Sequence, residues 1–208
     1  KEGRSPYDFF RARVMFPIHN LSGKVVAFGG RILTKDVKQA KYINTPETDI
    51  YTKGKLVYGI YQAKNEIRKL DNCFLVEGYT DVLSLYQAGI HNVVASSGTA
   101  LTKEQIKLIK RFTQNISLIY DGDKAGINAA LRGVDLMLEE EMDVRVVILP
   151  DGEDPDSFVK SRGTDETLKF IQENKKDFIF FKADILLKDT KNDPALQANA
   201  IHQIVETI

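Results

Sequence analysis

Apolar runs recur along the whole chain, but their rhythm changes near residue 70. Residues 12–33 read as two alternating runs, ARVMFPI and VVAFGGRIL, separated by the turn sequence HNLSGK, which predicts a β-hairpin with His19 in the exposed turn. The stretch KYINTPETDIYTKGKLVYG is polar, rich in Lys, Thr and Tyr, and predicts irregular structure. YQAKNEIRKL then predicts a helix.

From residue 73 short apolar strands alternate with helical segments. CFLVE (73–77) precedes a helix over 79–88, and NVVAS (92–96) precedes a helix over 103–112. ISLIY (116–120) precedes a helix over 124–142, and VRVVILP (144–150) closes the series. Strands of this kind predict parallel βα units with both sheet faces covered. Thr102 and Gln105 fit a capping box at the second helix. Beyond Asp154 and Asp156 the pattern is helical to the end, with the apolar stretch FIFFKADILL packed inside. The expected class is α/β: a parallel sheet flanked by an N-terminal mixed α+β segment and a C-terminal helical segment.

Composition adds bounds to this picture. A chain of 208 residues with 43% hydrophobic content can bury a substantial core. No apolar run approaches the roughly 18 residues that cross a bilayer, and no secretory leader is visible, so the expected compartment is cytoplasmic. The one cysteine, Cys73, excludes a disulfide framework and a cysteine-rich zinc site within the chain. It begins an apolar strand and reads as a buried small hydrophobe. The chain opens on KEGRSPYD and closes on an apolar helical face formed by Leu196, Ala200, Ile201, Ile204 and Ile208, which suggests a segment of a longer protein.

A formal net charge of zero conceals a gradient. Residues 1–70 carry a net +8, residues 71–160 a net −7, and residues 161–208 a net −1. A basic segment joined to an acidic one suits a place where polyanions and divalent cations meet.

The acids fall where such a site would form. In open parallel sheets ligands gather beyond the carboxyl ends of the strands. Glu77 ends the first strand and Asp81 follows in the next helix's first turn. Asp121 and Asp123 follow the third strand, and Asp151, Glu153, Asp154 and Asp156 follow the fourth. A lone Asp-Gly after a strand is usually a turn, and Asp123 is also a natural N-cap. Three loops bringing carboxylates to one rim shift that balance, because clustered like charges require a cation or donors to offset their repulsion. Oxygen-only donors suit Mg²⁺ or Mn²⁺ rather than zinc. An EF-hand is excluded, since Ala125 and Arg132 would occupy its fifth and twelfth positions.

A glutamate ending one strand and DGD ending a later one resemble the Toprim domain of primases, topoisomerases and some nucleases. The segments VEGYTDVLSLYQAG, VASSGTALT, YDGDKAGINAA and LPDGEDPDSF resemble the polymerase core of bacterial DNA primases. So do FPIHNLSGKVVAFGGRIL and KYINTPETDIYTKG upstream, and the likeness covers essentially the whole chain. It implies a partial basic N-terminal subdomain (1–70), a Toprim domain (71–158) and a truncated helical subdomain (159–208).

The resemblance implies synthesis of short RNA primers on single-stranded DNA by metal-dependent nucleotidyl transfer. Two or three Mg²⁺ or Mn²⁺ ions would be held by Asp121, Asp123 and Asp154, with Asp81 and Asp156 as further ligands. Glu77 would be the key acid, as metal organiser or proton acceptor, and Glu77, Asp121 and Asp123 the catalytic set. No zinc is expected in this segment. Arg31, Lys41, Asn44 and Lys53 would line the nucleotide and template path, with Arg11 and Arg13 extending it along one strand face. Tyr79 would stack on a base or pack beneath its loop, and the loop from Ser97 to Ala100 would offer backbone N–H groups to phosphate.

Implied partners are the single-stranded DNA template, nucleoside triphosphates, an RNA–DNA primer duplex and guanosine tetraphosphate-type alarmones. A replicative helicase would bind through a C-terminal domain outside this segment, at the replication fork and not at a membrane. A Toprim topoisomerase or nuclease, or a non-catalytic Toprim binding module, is the alternative. YINTPET and FGGRIL favour the primase.

Overall fold

The computed structural model describes residues 7–34, 39–98, 100–122, 124–188 and 193–205. Strands β1 (Arg13–His19) and β2 (Val25–Ile32) form the expected antiparallel hairpin. Its turn is closed by the Asn20 carboxamide oxygen, which accepts from the backbone N–H groups of Ser22 and Lys24, each at 3.0 Å. A third strand, β3 (Tyr42–Asn44), pairs with the far edge of β2, within the stretch expected to be irregular. Its side chains share the polar and aromatic composition of the surrounding loop, so alternation alone does not distinguish it.

Arg11 does not lie on β1. It precedes Ala12, whose φ of 56° turns the chain before the strand begins at Arg13, so the two arginines do not alternate on one strand face.

The second sheet follows the βα rhythm. Helix α1 (Ile60–Leu70) buries Ile60, Ala63 and Ile67 on one face. Then come β4 (Cys73–Val76), α2 (Tyr79–Gln87), β5 (Val93–Ala95), α3 (Lys103–Lys110), β6 (Asn115–Tyr120), α4 (Lys124–Glu139) and β7 (Asp143–Ile148). The strands lie in the order β5-β4-β6-β7 and run parallel.

Alternating side chains feed two cores. Leu75, Leu118 and Val146 join the cluster beneath α1, α3 and α4, whereas Val76, Ile119 and Val147 join the one beneath α2 and the helix that follows β7. Burial on both faces explains why these strands read as continuous apolar runs. Cys73 is fully buried in the first cluster, where desolvation raises its thiol pKa.

The C-terminal part is helical, with two departures from the expected pattern. Helix α5 (Pro155–Asn174) runs past residue 158 and is broken at Gly163, which adopts φ 79° and ψ 179°. A two-residue strand, β8 (Lys176–Asp177), then pairs antiparallel with β7 at the sheet edge. Two residues carry too little periodicity to be read as a strand. Helices α6 (Phe178–Lys188) and α7 (Pro194–Val205) complete the described chain.

Tyr58, between the two sheets in sequence, and Tyr79 help to join them. Tyr58 forms an antiparallel bridge to Ala95 on the β5 edge, with N–H···O distances of 2.9 and 3.0 Å. Tyr79, at the start of α2, enters a small core with Phe16, Ile18, Ala27 and Tyr51. Gly29 makes room for that ring: a Cβ there would lie 2.7 Å from Tyr79 Cε2.

Gly122 plays a comparable part at the sheet rim. A Cβ at this position would lie 2.2 Å from the Leu149 carbonyl oxygen and 2.6 Å from the Pro150 carbonyl carbon. The glycine between Asp121 and Asp123 therefore lets the loop after β6 press against the loop after β7. Gly122→Ala is expected to cost about 2–3 kcal/mol, because backbone must move on one side or the other. Chemical denaturation would measure it, and an unchanged midpoint would show that the loops are not held in contact.

Candidate functional site

A cleft of about 300 Å³ opens where the two sheets meet. Its lining draws on Lys41 just before β3, Tyr42 and Asn44 from β3, Lys53 from the next loop, and Glu77 through Asp81 between β4 and the first turn of α2. Ser97 and Gly98 follow β5, Asp121 follows β6, and Asp154 follows β7. Parallel strands end on one side, so four separate loops deliver their residues to the same edge.

Each loop has an identifiable anchor. Thr102 caps α3 by accepting from the Gln105 N–H, and the Gln105 carboxamide reaches back toward the Thr102 N–H, each at 3.2 Å. The same two side chains hold the Lys53 loop: Thr102 donates to the Gly54 carbonyl at 2.5 Å, and Gln105, fully buried, donates to that of Leu56 at 2.7 Å. Lys53 itself donates to the Gly98 carbonyl at 3.3 Å. Partial burial lowers its pKa.

The first turn of α2 joins the acidic and basic walls. Asp81 accepts from the Gly78 N–H at 2.9 Å. The Tyr79 hydroxyl donates to Asn44 Oδ1 at 2.5 Å, and Thr80 Oγ1 lies 3.3 Å from the Tyr42 hydroxyl. Asp154 N-caps α5, accepting from the Ser157 N–H at 2.7 Å while facing the cleft.

The acids share one electrostatic field. Burial raises the Asp81 pKa to about 6; the Gly78 N–H opposes this, and the charges of Asp154, Asp156 and Glu77 add to it. Asp156 behaves oppositely. Burial works against its ionisation, but hydrogen bonds from Lys160 and Ser84 and the charge of Arg31 outweigh it and hold its carboxyl low.

Thus Lys41, Asn44, Lys53, Glu77, Tyr79, Asp81, Asp121 and Asp154 all line one cleft. Asp156 does not; it is bound by Ser84 of α2 and by Lys160 at 2.7 Å. Arg31 stands outside the lining, 5.9 Å from the Tyr42 ring centre, and acts on Asp156 through its charge. Arg13 donates to the Ala40 carbonyl at 2.9 Å and contributes to holding the chain entering β3, while Arg11 is exposed. Asp123 lies outside the described residues.

Tyr79 is 2% exposed, its ring stacked on Phe16 at 5.0 Å and met edge-on by Tyr58 at 4.7 Å. With both neighbours in place it packs beneath the loop, which leaves no free ring face for a base. Thr80, Tyr42 and Gly78 were not singled out by the sequence. Their contacts span residues far apart in the chain, and only the VEGYTD and KYINTPET segments signalled them.

Residues 74–159 match the Toprim-like family, and residues 1–64 match the N-terminal domain of the DNA primase catalytic core. A DNA primase from Clostridium acetobutylicum is 46% identical over 173 residues, covering 83% of this chain and 28% of that relative. The RNA polymerase domain of Mycobacterium tuberculosis primase DnaG is 32% identical, with a TM-score of 0.87 over 100% of this chain and 69% of that one. A DnaG primase catalytic domain solved bound to single-stranded DNA is 38% identical, with a TM-score of 0.84 over 100% of this chain and 68% of that one. The chain belongs to the DnaG-type bacterial DNA primase family. It spans about a third of the length of the curated relatives it matches. The primase match over residues 1–64 decides against the topoisomerase alternative, which shares only the Toprim part.

In this primase segment the donor chemistry suits a hard cation. The cleft acids are carboxylates without cysteine or histidine, and their mutual repulsion is what raises Asp81 beyond its burial. Among the described residues no three such side chains already converge on one metal position. No described helix is long and apolar enough to cross a membrane.

The raised Asp81 pKa has a definite consequence for metal-free protein. The folded state binds the Asp81 proton more tightly than the unfolded chain, so this contribution is complete below pH 3.8 and is lost as pH rises through about 6. Asp81→Asn, which keeps an acceptor for the Gly78 N–H, is expected to be more stable than the parent at pH 7.5 by about 2–3 kcal/mol. The gap should close near pH 4. Denaturation in EDTA across that range would measure it, and a constant gap would contradict the electrostatic origin.

Proposed function

We propose that this segment is the polymerase core region of a primase that joins ribonucleotides into short RNA primers on single-stranded DNA. The observation that carries this reading is a cleft with a basic wall from Lys41, beside β3, and Lys53 and an acidic wall from the strand ends. The single-stranded DNA bound to a 38% identical relative supports it.

In this reading Lys41 and Lys53 hold the triphosphate, because ammonium groups grip phosphate without regard to the base. Arg31, Arg13 and the exposed Arg11 extend the positive surface toward the template. Asp121, Asp123 and Asp154 would hold two or three Mg²⁺ or Mn²⁺ ions, with Asp81 and Asp156 as further ligands. Bound metal supplies charge neutralisation at the triphosphate and lowers the pKa of the attacking 3′-hydroxyl. Glu77 directly follows β4 at the cleft, where its carboxylate can accept a proton or orient the neighbouring acids.

The division into a basic part (1–70), a Toprim part (71–158) and a helical part (159–208) belongs to the same proposal. So do a cytoplasmic setting, a primer duplex as product, alarmone competition for the basic wall, and a helicase contact through a region beyond this segment.

Glu77→Gln keeps size and removes charge. In full-length protein it is expected to lower ribonucleotide incorporation on a single-stranded template at least about 100-fold, with an unchanged unfolding midpoint. Near-parental incorporation would remove Glu77 from the chemistry. Lys41→Ala is expected to weaken template or nucleotide binding and to reduce the salt slope of log K by about one phosphate contact. An unchanged slope and affinity would place Lys41 off the path.

A further inference from the structure

Asn44 and Tyr79 lie 35 residues apart in sequence, yet their side chains meet at the floor of the cleft. The direction of their hydrogen bond has a chemical consequence. A carboxamide offers an acceptor on one side and two donors on the other. Tyr79 donates to Oδ1, so the acceptor is already engaged and the free functionality of Asn44 is Nδ2.

The tyrosyl oxygen cannot easily reverse this role. Burial keeps the phenol protonated, so the oxygen retains its hydrogen to donate. The ring is fixed from several sides by Phe16, Tyr58 and Tyr42, the last at 6.0 Å, and by the absence of a Cβ at Gly29. Asn44 itself ends a strand of three residues, beside the first turn of α2.

We propose that Tyr79 is a positioning residue: its hydroxyl locks the Asn44 carboxamide so that Nδ2, a donor, meets an oxygen of the nucleotide bound in the cleft. The inference rests on the nucleotide-binding reading above. Phosphate oxygens only accept hydrogen bonds, so an amide turned the other way would set Oδ1 against them. Tyr79 therefore acts on binding through Asn44 and not by touching the nucleotide.

The test is steady-state ribonucleotide incorporation by full-length protein on a single-stranded template, read as KM against kcat. Tyr79→Phe removes one hydroxyl and keeps the ring. It is expected to raise the nucleotide KM about three- to ten-fold while changing kcat less than about two-fold. In an Asn44→Ala background the same substitution should have no further effect on KM, because the group it positions is gone. A purely structural tyrosine would shift the unfolding midpoint and leave KM unchanged, or would act equally in both backgrounds; either result overturns the proposal.

Asn44→Asp gives a second arm that leaves Tyr79 in place. It retains an acceptor for the tyrosine but turns a charged oxygen toward the nucleotide, so its KM should exceed that of Asn44→Ala. A KM at or below the alanine value overturns the proposal. Parental protein that fails to incorporate nucleotide at all would sink the functional reading itself, whereas normal parental activity with KM indifferent to Asn44 would sink only this inference.

Discussion

The ring of Tyr79 sits where a three-stranded antiparallel sheet meets a parallel sheet, and the cleft depends on that contact. The tyrosine belongs to the first turn of α2, directly between Glu77 and Asp81 in sequence, yet its side chain packs among residues of β1 and β2. Acids at the ends of the parallel strands are thereby set facing Lys41, just before β3, and Lys53 in the segment after it. The fit requires a glycine at position 29 and an aromatic surround, and it resembles core packing more than a flexible hinge. Removing the ring would separate the two walls before it touched any charged group.

The second constraint is electrostatic. Asp81 is held in a buried position next to Glu77, Asp154 and Asp156, an arrangement that disfavours its own ionisation. Asp154 and Asp156 open α5, where the helix N-terminus and Lys160 offset part of their charge. Hydrogen bonds from Lys160 and Ser84 and the charge of Arg31 stabilise ionised Asp156, whereas ionisation of Asp81 is disfavoured. Local destabilisation that a bound cation would relieve is a common property of sites selected for binding rather than for stability. Gly122 brings the two acidic loops into contact, so repulsion is imposed by backbone packing.

Much of the fold was legible because burial on both faces of a parallel sheet leaves a strong signal. The runs from Cys73 to Val76, Asn115 to Tyr120 and Asp143 to Ile148 emerged as strands within one or two residues of their expected ends. The Thr102–Gln105 cap was also readable, since its partners are three residues apart. What escaped depends on contacts between distant residues or on elements too short for a period. β8 has two residues, the turn at Ala12 takes Arg11 off its strand, and the break in α5 lies at a single glycine.

The site divides in the same way. Residue types and strand ends pointed to the acids and lysines that line the cleft, because a parallel sheet sends its loops to one edge. Position could not show that Asp156 turns to Ser84, 72 residues away, or that Tyr79 is enclosed by Phe16 and Tyr58. The central claim is that one cleft receives metal on its acidic wall and triphosphate on its basic wall. Crystals of the protein with Mn²⁺ and a nucleoside triphosphate, read by anomalous scattering, test it most directly. Manganese peaks beside Asp121 and Asp154 with triphosphate density at Lys41 and Lys53 are the predicted result. Nucleotide bound elsewhere, with no anomalous signal at the acids, would contradict the account.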